Sequence, residues 1–599
     1  MADSTIQSIL AVECGNVTTA AVLIERVEGH YRLASSGQTA STYGRPEQDI
    51  TLGVFRAVRQ IEQDTGRTLL APGGWPITPQ GNRQQGVDAF VVVSSAGPAL
   101  QLVLAGLMQE VTLASARRAA AATYTAITNV LSLENNPQTN ETSPGQKHSA
   151  EARIQAIQTS QPDVILLVGG TDDGAERPVI DLANALAMAL RVLPQPDPPH
   201  ILYAGNRALR AQVVDILGPV TSVHSVDNIR PRLDIENLAM AQLELEKLYL
   251  QRKMLQLPGF QKLSNWCKYP VLPASKSFEK LISYLGRHNH LNVIGVNVGS
   301  AATAISTQAG DYQGTTVRSD AGVGYSMPAL LKAVPLAKIE RWLPFIMTPE
   351  ELHNRLLNKS LHPASLPSTY EELMIEHAIA RESLRLVLDQ ARSSWPTQSA
   401  TGRGDIRWNL VIGAGRTLTR TPKPGQAALM LLDGVEPWGV TSLALDVSGM
   451  TNMLAAMAVA EPIAAVEVAA RDTFLNLGTV IAPLGRGFIG QPALKVKLSQ
   501  LEGPGSSKSD FEADIPFGSI EVFPLSPGQK ATLEIRPARH FDIGLGQPGR
   551  GAVTEVEGGI LGVIFDTRGR PLRLPPDEAQ RRDLIEQWLV KLDTVHATT

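Results

Sequence analysis

Residues 8–24 read SILAVECGNVTTAAVLI and residues 292–308 read NVIGVNVGSAATAISTQ; the two align without a gap and place Gly15 over Gly299 and Thr19 over Thr303. Each copy is an apolar run, a polar turn containing glycine, and a second apolar run. Short apolar runs bounded by turn signals predict strands, so each copy predicts a strand–turn–strand element whose turn projects backbone N–H groups and hydroxyls beyond the sheet edge. Such a turn can hold phosphate oxygens. A phrase written twice predicts two related halves, and two such turns facing each other across a cleft would grip one nucleotide's phosphate tail from both sides. Gly15, Asn16, Thr18 and Thr19 would cradle phosphates from one lobe, and Gly299, Ser300 and Thr303 from the other. Glycine suits these places because a Cβ would block close approach or resist a positive φ. The competing reading is a pair of tight hairpins whose glycines serve turn geometry alone.

The 599 residues exceed a single ordinary core and predict about three or four domains. With 43% apolar and 19% charged residues the composition is that of a soluble globular protein. No apolar run approaches the roughly 20 residues of a membrane span, so no membrane is expected. The start, MADSTIQSIL, lacks the basic and apolar regions of a secretory signal, and two isolated cysteines argue against a disulfide framework. Both point to a reducing cytoplasm. A net charge of −4 without a basic stripe gives no electrostatic footprint for nucleic acid.

Outward from the first hairpin, strands and helices alternate. Tyr31–Ser35 predicts a third strand, and Leu52, Phe55, Val58 and Ile61 have helical spacing over Thr51–Asp64. The apolar runs Ala89–Ser94, Val164–Val168 and Ile201–Ala204 predict parallel strands, the later two followed by helical patterns at Val179–Leu193 and Arg207–Leu217. Asn135–Gly145, rich in Asn, Thr and Pro, predicts a solvated loop. Leu233–Tyr249 predicts a helix across the junction between the halves. The second half repeats the order, with helical patterns at Ser326–Val334, Glu371–Ala391 and Gln426–Asp433 around the strand Asn409–Ile412. VILLVGG at 164–170 and LVIGAG at 410–415 suggest a second internal correspondence. After about residue 475, alternating patterns at Leu494–Leu498, Ile520–Phe523, Thr532–Ile535 and Val553–Phe565 separated by Gly and Pro predict an all-β module, closed by an amphipathic helix over Asp577–Leu592.

The paired turns, the strand and glycine pair at 164–170 and Gly413-Ala414-Gly415 resemble the two phosphate motifs and the adenosine motif of the actin, hexokinase and heat-shock-chaperone ATPase superfamily. More narrowly, VVVSSAGPALQLVLAG at 91–106, DVILLVGGTDDG at 163–174, ILYAGN at 201–206, SDAGVGYS at 319–326 and VIGAGR at 411–416 resemble the MutL/GlmL family, accessory proteins of coenzyme B12-dependent glutamate (methylaspartate) mutase. The resemblance spans about residues 8 to 470 and implies an α/β fold. That fold has two duplicated actin-like, ribonuclease-H-like ATPase lobes with an appended C-terminal all-β module and terminal helix. The expected division is 1–232 for the first lobe, 233–290 for a helical junction, 291–475 for the second lobe and 476–599 for the β-rich module. The resemblance further implies lobes that close on ATP or ADP with Mg²⁺, Gly413, Ala414 and Gly415 admitting the adenosine, and a chaperone-like cycle acting on mutase subunits.

The superfamily places an aspartate at each hairpin, to organise metal-bound water and the attacking water. This sequence has Glu13 and Asn297 there. Glu13 keeps the charge and is the expected metal ligand, whereas Asn297 can neither act as a carboxylate base nor offer an anionic oxygen. Hydrolysis is therefore expected to be weak or lost. Asp172 and Asp173 either supply a replacement carboxylate or form a solvated turn and helix cap. His353, His362 and His377 lack metal-ligand spacing and are expected in solvent, without zinc; Cys14 is expected as a small core residue. Arg568 and Arg570, with three neighbouring arginines, either bind an acidic partner or sit between Gly-rich turns. Two functions follow: a nucleotide-binding accessory or reactivating factor for a B12-dependent mutase, or a non-hydrolysing actin-like scaffold or filament former. Homo-oligomerisation is compatible with both.

Overall fold

The apolar run Ile9–Val12 is buried on both faces, as expected of a central strand covered by helices on each side. The computed structural model describes residues 6–132, 150–192, 197–396, 406–500 and 510–593; the segment Asn135–Gly145 lies outside them. The chain folds as two compact units, one of Met1–Ser95, Lys262–Thr315 and Asp320–Thr599, the other of Ala96–Gln261 and Thr316–Ser319.

The first unit is α/β. Its first sheet contains β1 (Ser8–Cys14), β2 (Thr18–Val27), β3 (His30–Ala40), β4 (Ala89–Ser94) and the short β5 (Leu272–Pro273), in the order β5-β4-β1-β2-β3. The second contains β6 (Val293–Val298), β7 (Thr303–Ala309), β8 (Tyr312–Arg318), β9 (Leu410–Ala414) and β10 (Gly439–Asp446), in the order β8-β7-β6-β9-β10. In both, the hairpin strands are antiparallel and the next two strands are parallel. The same order of five strands, with an antiparallel hairpin and parallel strands beyond it in each sheet, is that of duplicated actin-like lobes of the ribonuclease-H type.

The strand at 164–167 pairs outside both of these sheets, so the expected correspondence of VILLVGG with LVIGAG is corrected. The counterpart of β9 is β4: Val93 lies beside Glu13 as Ala414 lies beside Asn297. Two apolar strands ending in glycine look alike in one dimension, and only their neighbours tell them apart.

Six helices matter to the site. They are α1 (Ile50–Thr65), α2 (Ala274–Asn289), α3 (Tyr370–Arg392), α4 (Pro424–Gly434), α5 (Thr451–Ala460) and α6 (Glu578–Asp593). Helix α2 follows the last strand of the first sheet yet packs Phe278 and Ile282 on Val293 and Ile412 of the second. Helix α5 follows β10 and packs Met453, Leu454 and Met457 on Ile9, Ala11, Val91 and Val93 of the first. The two helices also pack on each other, so the core between the lobes is built by their exchange. Helices α3 and α4 contribute Ile379, Leu384, Leu429 and Leu432 to the core on the second sheet, while α1 packs on β2 and β3.

The C-terminal β structure divides in two. β11 (Phe474–Ala482), β14 (Ile520–Phe523) and β17 (Val563–Asp566) extend the second sheet to eight strands, whose order ends β10-β11-β17-β14. β12 (Pro492–Gln500), β13 (Asp510–Pro516), β15 (Lys530–Pro537) and β16 (Ala552–Glu557) form a separate antiparallel sheet. The single pattern read over Val553–Phe565 is thus two strands in different sheets, and residue 475 falls inside β11. Helix α6 packs on α4 and β14, with the Trp588 Nε1 donating to the Gly518 carbonyl at 3.0 Å.

The second unit is a parallel sheet of 125–132, 100–106, 164–167, 200–203 and 223–225 in that spatial order. In chain order this is 2-1-3-4-5, a doubly wound arrangement. The helix expected over Leu233–Tyr249 runs over Ala239–Arg252, within this unit.

Candidate functional site

The two hairpins close identically. The Gly15 N–H donates to the Thr18 carbonyl at 2.8 Å, and the Gly299 N–H donates to the Ala302 carbonyl at 2.9 Å. A Cβ on Gly299 would stand 2.8 Å from that carbonyl oxygen, closer than side chains come, and one on Gly15 3.0 Å from its own, a tight contact, so both turns favour glycine. Asn16, Thr18 and Ser300 lie partly exposed at the turn tips. Thr19 and Thr303 do not. Thr19 is fully buried against Gly53 of α1, and Thr303 is buried with its hydroxyl donating to the Ala321 carbonyl at 2.6 Å. Both threonines brace their hairpins from behind, because strand alternation turns them into the core.

One residue ties the two duplicated positions together. The Asn452 amide, on the first turn of α5, donates through Nδ2 to Glu13 Oε1 at 2.7 Å, and its Oδ1 accepts from Asn297 Nδ2 at 3.0 Å. The start of α5 is fixed by Asp446 at the end of β10, which accepts from the Met450 and Thr451 N–H groups at 3.0 Å each and from the Thr451 hydroxyl at 2.7 Å. Burial pushes the Glu13 carboxyl up to about 7; the Asn452 hydrogen bond opposes this, and Asp446 adds to it. The site thus holds a carboxyl poised to change charge near neutrality, with a neutral amide at the equivalent place in the other lobe.

The loops beside the hairpins meet as well. The Val323 and Gly324 N–H groups donate to the Gly299 and Ser300 carbonyls at 3.1 and 3.0 Å, and the Tyr325 N–H donates to Ser300 Oγ at 3.2 Å. This leads the Tyr325 hydroxyl to face Tyr43, which follows β3 in the other lobe; burial, with Tyr325 beside it, pushes the Tyr43 phenol up.

The adenosine-type glycines separate by role. Gly413 lies inside β9, where a Cβ would come 2.8 Å from Leu445, and Ala414 is buried in the core, so both are packing positions. Gly415 has φ +90°, and a Cβ there would come 2.2 Å from the Val298 carbonyl oxygen, so only glycine lets this chain cross the end of β6.

Asp172 belongs to the second unit, where its Oδ1 accepts from the Asn228 Nδ2 at 3.0 Å and the Arg207 N–H at 3.1 Å, bracing neighbouring loops. Cys14 is fully buried and burial pushes its thiol well above the usual range, which removes the thiolate a nucleophile needs. His353 and His362 are exposed, but His377 is corrected: it is 1% exposed on the inner face of α3, and burial, aided by Arg381, holds it neutral with a pKa lowered to about 3. Arg568 and Arg570 are also buried, paired with Asp566. Among the described residues no helix is long and apolar enough to cross a membrane.

Sequence reasoning missed Asn452. It lies 439 residues from Glu13, and its one signal is the Asp446–Thr451 pattern that caps the helix carrying it. Asn452→Leu is expected to destabilise the first unit by about 1–3 kcal/mol, because it strands the Glu13 carboxyl and the Asn297 amide without their partner. Thermal unfolding checks this, and an unchanged midpoint would mean that the bridge contributes nothing.

A model of the family described as MutL protein matches residues 9–473. The Protein MutL of Clostridium tetanomorphum is 24% identical over 362 residues, 56% of this chain and 73% of that protein. Among solved structures, the ligand-bound xylulose kinase of Lactobacillus acidophilus is 10% identical with a TM-score of 0.29, covering 78% of this chain and 90% of that one. Component A of the (R)-2-hydroxyglutaryl-CoA dehydratase of Acidaminococcus fermentans is 7% identical with a TM-score of 0.24, covering 77% and 99%. At these scores the two structures carry no argument about what this chain binds.

Proposed function

The chain belongs to the MutL protein family, and from that premise we propose that it is a nucleotide-binding accessory or reactivating factor of a coenzyme B12-dependent mutase. ATP or ADP with Mg²⁺ would lie between its paired hairpins. The observation that carries the reading is the Glu13–Asn452–Asn297 bridge at the mouth of two identically closed glycine turns. Polar side chains are costly to gather beside a core unless a ligand site needs them.

The donor set suits magnesium. Glu13 offers one anionic oxygen, and Mg²⁺ commonly takes one or two carboxylates, substrate phosphates and its own waters. When bound, the ion would neutralise phosphate charge. The turn tips at Gly15, Asn16, Thr18, Gly299 and Ser300 would meet phosphate oxygens, with Thr19 and Thr303 fixing the turns. Gly415 is the remaining adenosine-side candidate, and Gly413 and Ala414 support it by packing. Asn297 cannot accept a proton from water, so turnover is slow or absent, and Asp172 is not assigned a catalytic part. Family membership favours an accessory role over a scaffold.

Calorimetric titration with ATP and ADP, with and without Mg²⁺, followed by phosphate release, tests the reading. Magnesium-dependent binding with little phosphate release is expected; no binding of either nucleotide would overturn the cleft. Asn297→Asp is expected to raise ATP turnover by about 10²-fold, the lower scale of positioned acid–base catalysis. A flat rate would show that the missing carboxylate is not what limits the chemistry. Recovery of a mutase subunit with the tagged protein tests the partner.

A further inference from the structure

Away from the hairpins, two adjoining hollows of about 370 Å³ each share a wall made by Arg573–Pro576. One is lined by Arg486, Ile489, Phe517, Leu584 and Trp588, and the other by Arg341, Trp342, Arg385 and Arg581. Their size is that of a small-ligand site, and the combination of aromatic walls with convergent charge is what such sites contain.

The charges do not balance. Arg341 pairs with Glu382 at 2.5 Å and Arg385 pairs with Glu436, which settles those two cations. Arg568, at the edge of the first hollow, is paired with Asp433 and Asp566 at 2.7 and 2.9 Å. Arg486 and Arg573, both exposed and both lining the first hollow, have no acceptor among the described residues. Arg581 reaches only the Pro575 and Pro576 carbonyls, at 3.3 and 3.5 Å, and its Nε is buried without a partner, as is that of Arg341. A guanidinium N–H buried without an acceptor is uncommon in a native structure, and two exposed cations beside it with no carboxylate of their own leave a surplus of positive charge around the hollows. Arginine's planar fork fits phosphate oxygens in pairs.

We propose that this groove binds a small organic phosphate with an aromatic or apolar body. Arg486 and Arg573 meet the phosphate, and Phe517 and Trp588 hold the body.

The test uses the full chain and 1-naphthyl phosphate as probe, followed by fluorescence. The double variant Arg486→Ser, Arg573→Ser removes only cations that have no protein partner, so folding is expected to be kept, and ATP calorimetry on the same samples checks this. Saturable binding to the wild type, weakened at least about 10-fold in the double variant and not displaced by ATP, is expected. 1-Naphthol, which lacks the phosphate, should bind weakly and equally to both proteins. Equal probe affinity in wild type and variant, displacement by ATP, or no binding to the wild type would each overturn the proposal.

Discussion

Asp566→Asn is expected to lower the unfolding free energy of the first unit by roughly 3–5 kcal/mol, the scale for removing one partner from a buried ion network. Asp566 is fully buried and accepts from Arg568 at 2.9 Å and Arg570 at 2.7 Å. Arg568 in turn donates to Asp433 on α4 at 2.7 Å, and Asp433 accepts from Arg381 of α3 at 2.7 Å. Two carboxylates therefore serve three guanidinium groups, and removing one carboxylate leaves three buried cations facing a single anion. Asparagine keeps the volume, so the loss reads charge and not a cavity. Burial alone would raise the Asp566 carboxyl, but Arg568 and Arg570 outweigh it and hold it well below the usual carboxylate range. A depressed carboxyl contributes stability that is present above the ordinary pKa of about 3.8 and lost as pH falls through the lower folded value. Urea unfolding at pH 7 checks the first effect and acid unfolding the second. A loss below about 1 kcal/mol at pH 7 would mean that solvent already compensates these charges.

That network explains why the C-terminal region is poorly legible as a separate module. Arg568 and Arg570 look like a surface cluster in the sequence because nothing local marks their shared partner Asp566 as buried, and Asp433, the second partner of Arg568, lies 135 residues upstream. The strand Phe474–Ala482 continues the second sheet for the same reason: edge hydrogen bonds recruit the next available strand, and no composition change marks the event. The hairpins were legible because turn chemistry is local. A glycine whose Cβ would crowd its own turn's carbonyl is favoured wherever the turn recurs. Helices α1, α3, α4 and α6 followed from their periodicity, whereas His377 was misplaced because one histidine on a long helix carries no sign of which face turns inward. For Asn452 the sequence shows only the cap of its helix, since a bridge between two lobes is a tertiary fact.

Glu13→Gln is expected to make the protein more stable than the wild type at pH 8 and equal to it at pH 4. The folded-state carboxyl is raised from 4.5 to about 7, so the native state holds a proton that the unfolded chain has released across that interval. Wild-type stability should therefore fall as pH rises between those two values and level off above about 7. The full shift corresponds to roughly 3 kcal/mol, and the measured difference should be nearer 2 because the carboxyl is only partly buried. Glutamine keeps an oxygen to accept from Asn452 Nδ2, so the bridge survives while the charge is removed. The same substitution separates stability from binding. If Glu13 supplies the anionic oxygen for Mg²⁺, wild-type binding of Mg-ATP near pH 7 must release about half a proton, measurable as a buffer-dependent heat, and the Gln variant must lack that release. A stability difference that stays constant from pH 4 to pH 8 would show the carboxyl charged and solvated throughout. Magnesium dependence that persists in the variant would place the metal on other oxygens, leaving Glu13 as the inter-lobe tether alone.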